Sequence, residues 1–130
     1  MEKKYLAKII ALDKDGLQMI SACCSGAKIK VENIKFLKKN KVFLISLRRN
    51  KVESDEKRTI NSICKFDFVD KVKSKNINQK DTESILNLVG IDYLKKEKNY
   101  EINLIFNNNG YITLYTEIIE VRLEDQSETE

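Results

Sequence analysis

Residues 101–117 read EINLIFNNNGYITLYTE, and this stretch decides the fold class. Ile102, Leu104 and Phe106 alternate with Glu101, Asn103 and the less polar Ile105, and Ile112 and Leu114 resume the alternation after Asn107-Asn108-Asn109-Gly110. A period of two sends successive side chains to opposite faces of an extended chain. An Asn-Gly pair between two such runs marks a tight hairpin. Two antiparallel strands are therefore predicted, and Ile119, Val121 and Leu123 carry the alternation further.

The same period governs most of the chain upstream. Leu86, Leu88, Ile91 and Tyr93 suit a strand bulged at Gly90. Asp81-Thr82-Glu83-Ser84 leaves a helical turn as the alternative for residues 82–94. Ile60, Cys64, Phe66 and Phe68 share one face, whereas Val69 and Val72 fall out of step, so a bend is predicted near Asp70. Val42 to Leu47 is nearly all apolar, which predicts a central strand covered on both faces. Lys38-Lys39-Asn40-Lys41 reads as the hairpin tip before it, with Asn40 suited to a positive φ. Ile29 and Val31 precede Ile34 and Phe36 by an odd step, which predicts a bend at Glu32-Asn33. Arg48 to Arg58 is a charged connection, read as the mobile loop of the domain.

Only the N-terminal segment changes period. After a first strand over 4–11, Asp13 stands as an N-cap with Asp15 in the first turn. Leu17, Ile20 and Cys24 recur at helical spacing and Gly26 stands as the stop, so a helix is predicted over 14–24. The fold class is α+β: a strongly bent, mainly antiparallel sheet of about seven strands with one short N-terminal helix, curled toward a half-barrel or pleckstrin-homology-like shape. Residues 1–124 are expected to form a single domain, and 125–130 a flexible acidic tail.

Composition excludes several chemistries. The 130 residues include no His, Trp or Pro. Without His there is no Ser-His-Asp or Cys-His catalysis and none of the usual zinc sites. Three cysteines, Cys23, Cys24 and Cys64, are too few for an all-thiolate zinc site, and none stands in a Cys-x-x-Cys loop. They read as small apolar residues, Cys24 and Cys64 on core faces. The four glycines, Gly16, Gly26, Gly90 and Gly110, stand alone, so no phosphate-cradling loop is present. No cofactor and no metal are implied. Asp13/Asp15 and Asp67/Asp70 are the nearest carboxylate pairs, better explained by helix capping and by a solvated strand bend. The N-terminus has no signal-peptide pattern and no apolar window approaches a membrane span, so a reducing, bacterial-type cytosol is expected.

The basic residues offer the only candidate surface. Lys28, Lys30, Lys35, Lys38, Lys39, Lys41, Arg48 and Arg49 face a single acid, Glu32, and Lys71, Lys73, Lys75 and Lys80 form a second group. If neighbouring strands pair, both groups share one edge of the sheet and present a phosphate-facing patch. A net charge of only +4 and the lack of exposed aromatics among these residues weigh against nucleic acid. Three functions follow in order. The first is a non-catalytic binding or assembly module, including a homodimer joined through sheet edges or long central strands. The second is an RNA- or phosphate-binding module using the lysine face. The third is a carboxylate/lysine enzyme, which requires a deep pocket holding two carboxylates or a buried Lys.

Ile9-Ile10-Ala11-Leu12-Asp13, Asp15 with Leu17, and Ile20-Ser21-Ala22 open a pattern that continues through Phe66-Asp67, Val69 and Val72. Leu104 with Phe106, Gly110-Tyr111-Ile112 and Glu117-Ile118-Ile119-Glu120 complete it. Over nearly its whole length the chain resembles a family of small alpha-proteobacterial proteins catalogued only as a domain of unknown function. The resemblance implies no assigned activity and no catalytic residues. Members often carry a His after the Ser-Ala pair, where Cys23 stands here, and a Trp after the central strand, where this chain has the lysine-rich stretch 51–57. A catalytic role for that His does not carry over to this chain.

Overall fold

The Asp13 carboxylate accepts the Gly16 N–H at 2.8 Å, satisfying a donor that the first helical turn leaves without a partner. In the computed structural model, which describes residues 6–50 and 59–128, helix α1 runs Lys14–Cys24, as the spacing predicts. Leu17, Ile20 and Cys24 form its buried face. Gly26 follows at φ +84, where a side chain would be strained. Gly16 answers a different need: a Cβ there would stand 2.9 Å from the Ala11 Cα. The helix therefore sits directly on strand β1 (Lys8–Ala11).

Nine further strands follow among the described residues: β2 Lys28–Lys30, β3 Ile34–Leu37, β4 Val42–Asn50, β5 Thr59–Phe66 and β6 Val69–Lys75, then β7 Ile85–Lys95, β8 Tyr100–Phe106, β9 Tyr111–Thr116 and β10 Val121–Glu128. They lie in the order β1-β10-β5-β4-β2-β7-β8-β9-β6, with β3 also on β4. Every pairing is antiparallel. The α+β, antiparallel expectation holds, but the sheet has ten strands rather than about seven, and it is not closed.

The difference in number has a local cause. Stretches that read as single bent strands are cut in two. A 3₁₀ turn at Val31–Asn33 separates β2 from β3, Phe68, at φ 59, separates β5 from β6, and residues 117–120 separate β9 from β10. The bends themselves fall where the alternation slips. The β6–β9 register shifts between Val69 and Lys71, and the β7–β8 register between Leu88 and Gly90. Residues 85–95 are strand, which removes the helical alternative for that segment.

Other details depart from expectation. Lys41, not Asn40, takes the left-handed conformation at the β3–β4 tip; in the β8–β9 turn Asn108 and Asn109 take it, both at φ 58. Strand β4 is central, yet Ser46, Arg48 and Asn50 are exposed, so it is covered on one face only beyond Leu44. The connection expected over 48–58 is strand as far as Asn50, and 51–58 lie outside the described residues. The chain does not leave the sheet at Glu124: β10 continues to Glu128, and Asp125, expected in a fraying tail, is buried.

The core lies inside the bent sheet. Phe43 and Phe66 meet edge to face at 5.9 Å between ring centres. Ile45, Cys64, Leu88, Leu104 and Leu114 are completely buried beside them. α1 seals one side through Leu17 and Ile20. No helix among the described residues is long and apolar enough to cross a membrane.

Candidate functional site

The chain leaves β7 where β2 ends at the 3₁₀ turn, and this departure opens the sheet. Among the described residues β3 pairs only with β4, and β6 pairs only with β9. Each strand thus has one edge without a strand beside it, and the two edges flank a groove of about 480 Å³. That volume is in the range of ordinary ligand sites. Ile34 and Phe36 form one wall, Val72 and Ser74 the other, and the buried Phe43 and Ile112 the floor. Glu32, Gln79 and Thr82 supply polar groups at one end, with Val31 and Ile77 beside them.

Both ends of the groove are pinned by backbone bonds. At one end the Val69 N–H donates to the Lys41 carbonyl at 2.8 Å, and Lys41 pairs with Asp70 at 3.0 Å. The hydrogen bond and charge of Asp70 raise the Lys41 pKa above its ordinary value. At the other end the Val31 and Glu32 N–H groups donate to the Ser84 and Thr82 carbonyls, each at 3.0 Å. Because the end of β3 meets the start of β6, the two edges run in opposite directions.

The lysines expected to share one edge are divided between surfaces. Lys35 projects from the outer face of β3, with Lys38 and Lys39 at the adjoining tip, all exposed. Lys71, Lys73 and Lys75 project from the outer face of β6, and Lys71 and Lys73 lie 5.9 and 5.7 Å from the centre of the Tyr115 ring. These residues rim the groove on its two sides. Lys28, Lys30 and Arg48 instead lie with Asn33, Asn61 and Gln126 on a second, shallower depression of about 400 Å³ on the outside of β2, β4 and β5.

Arg49 belongs to neither surface. It is wholly buried, and its guanidinium grips the Asp125 carboxylate, with Nη2 2.9 Å from Oδ2 and 3.0 Å from Oδ1 and Nε 3.1 Å from Oδ1. Ser62 donates its hydroxyl to Oδ1 and Ala7 its N–H to Oδ2, both at 2.7 Å. An arginine beside Arg48 looks solvated when charge alone is read. Its parity says otherwise: Phe43, Ile45, Leu47 and Arg49 share the inward face of β4, as Val121, Leu123 and Asp125 share that of β10.

The other candidates resolve locally. Asp13 is the α1 cap, Asp70 is held by Lys41, and Asp67 lies 3.7 Å from Lys65. The groove is lined by one carboxylate, Glu32, and by no lysine. Among the described residues no cluster of three metal-ligating side chains occurs. Cys24 and Cys64 are buried free thiols; burial pushes the Cys24 pKa up to about 12, and that of Cys64 well above the ordinary range.

The groove escaped the sequence reading because its walls come from strands 35 residues apart whose outer edges never pair. Only Ile34, Phe36 and Val72, apolar and lying at the predicted bends, marked its lining in advance. A family model described as "Protein of unknown function (DUF2948)" matches residues 7–130. No curated protein matches the chain.

Proposed function

The chain belongs to the DUF2948 family of proteins of unknown function, and we propose that this member is a non-catalytic binding module that takes an extended segment of a partner protein into the groove between β3 and β6. The carrying observation is the pair of strand edges flanking an apolar floor. An unpaired edge offers a row of N–H and C=O groups to an added strand, and pockets beneath it receive alternate side chains. With edges running in opposite directions, an inserted segment is antiparallel to one and parallel to the other. The four residues of β3 set its length. The free thiols suit a reducing bacterial cytosol as its setting.

Selection of displayed random peptides on the intact protein tests this reading, with Val72→Arg as the counter-selection because it fills the groove from one wall. Enriched peptides are expected to carry apolar residues at alternate positions over four to six residues and to lose binding to Val72→Arg. Peptides that bind Val72→Arg equally well would move the site elsewhere.

A second reading rests on the outer depression, where the β2–β4 register sets Lys28 opposite Arg48. Two cations beside Asn and Gln amides suit a phosphate group. Titration with single-stranded RNA across salt concentrations tests it. A steep loss of affinity with salt that is relieved in Lys28→Glu supports it, and no binding at low salt rules it out.

A further inference from the structure

An inserted strand has two faces, and only one of them meets the groove. The outward face would lie between the outer face of β3, which presents Lys35, and that of β6, which presents Lys71, Lys73 and Lys75. The one carboxylate on β6, Asp70, is already held by Lys41. The neighbouring outward residues of β9 are Tyr111, Thr113 and Tyr115, which carry no charge to offset the lysines.

We infer that the groove's occupant is an acidic strand: a segment whose apolar residues, at alternate positions, enter the groove while the intervening Glu or Asp residues lie between Lys35 and the row Lys71, Lys73 and Lys75. This rests on the groove being a strand-binding site. Directly opposed unlike charges on adjacent strands attract and like charges repel, so the lysines sort partners by sign. The same lysines act against self-association, because two β6 edges brought together set lysine against lysine. The sheet-edge homodimer is thereby disfavoured at this edge, while an acidic partner is admitted. A strand of identical apolar pattern with serine in place of the acids has the same groove contacts and lacks only the charge pairs.

Three acetylated, amidated hexapeptides test the inference, alternating Val with Glu, with Ser or with Lys. Each is titrated into the uniformly labelled protein while backbone amide shifts are followed. The Val-Glu peptide is expected to shift the amides of Lys35 to Leu37 and Lys71 to Lys75 and to bind about ten-fold or more tighter than the Val-Ser peptide. Its advantage should shrink as salt is raised. In the variant carrying Lys71→Glu, Lys73→Glu and Lys75→Glu, the order should reverse in favour of Val-Lys. If all three peptides shift the same groove amides with equal affinity, the charge selection is overturned and strand binding stands. If none shifts groove amides, strand binding itself is overturned, and this inference with it.

Discussion

Asp125→Ala removes the carboxylate that holds four segments together. In the folded protein it receives three guanidinium contacts from Arg49 on β4, the Ser62 hydroxyl from β5 and the Ala7 N–H that leads into β1. Both charged side chains are fully buried. Removing one member of such a pair leaves the other charge in a poorly solvating interior, at a cost of about 3–5 kcal/mol. That is a large share of the roughly 5–15 kcal/mol that holds an ordinary domain folded. Replacing both partners at once, Arg49→Met with Asp125→Leu, removes the desolvated charges together and should recover at least about 2 kcal/mol relative to Asp125→Ala. Equilibrium urea unfolding of the wild type, both single variants and the double variant supplies the cycle. A loss below about 1 kcal/mol for Asp125→Ala, or a double variant no better than the singles, would refute the reasoning. The chain would then fray before Asp125, as composition alone suggested.

Three further outcomes follow from the fold. Gly16→Ala should destabilise the protein in thermal melts although alanine is the better helix former by about 1 kcal/mol, because its Cβ meets the Ala11 backbone at 2.9 Å; a higher midpoint would contradict the close approach. Asp13→Ala should cost about 1 kcal/mol through loss of the cap to Gly16, and Asp13→Asn should retain most of it. The buried thiols give a pH dependence of defined sign. Folding keeps Cys24 protonated to about pH 12 against an ordinary value of 9.0, so above pH 9 the unfolded chain sheds a proton that the folded chain keeps. Stability is then fully present below pH 9 and falls as pH rises toward 12. Cys24→Ala should flatten that decline, and an unchanged slope would rule out the thiol as its source.

Local signals were legible in proportion to how much of the answer is local. The α1 span, its Asp13 cap and the β8–β9 hairpin follow from spacing and turn chemistry within about a dozen residues, and the structure reproduces them. The slips in alternation near Asn33, Asp70 and Gly90 also fall at real irregularities. Whether a slip bends a strand or ends it depends on which neighbours remain paired, and so seven apparent strands became ten. Arg49 and Asp125 illustrate the limit from the other side. Each sits at inward parity on its own strand, but the partner that makes burial tolerable is 76 residues away. The groove is less legible still, since it is defined by where β3 and β6 do not pair.

Simultaneous pairing with two edges separates a strand-binding groove from any other use of the same cavity. Amide hydrogen exchange of the intact protein, free and saturated with the Val-Glu hexapeptide, reads this directly. Protection is expected to rise together among Lys35 to Leu37 on β3 and Lys71 to Lys75 on β6, with the α1 amides unchanged. Protection confined to one strand, or absent from both while the peptide is bound, would contradict it.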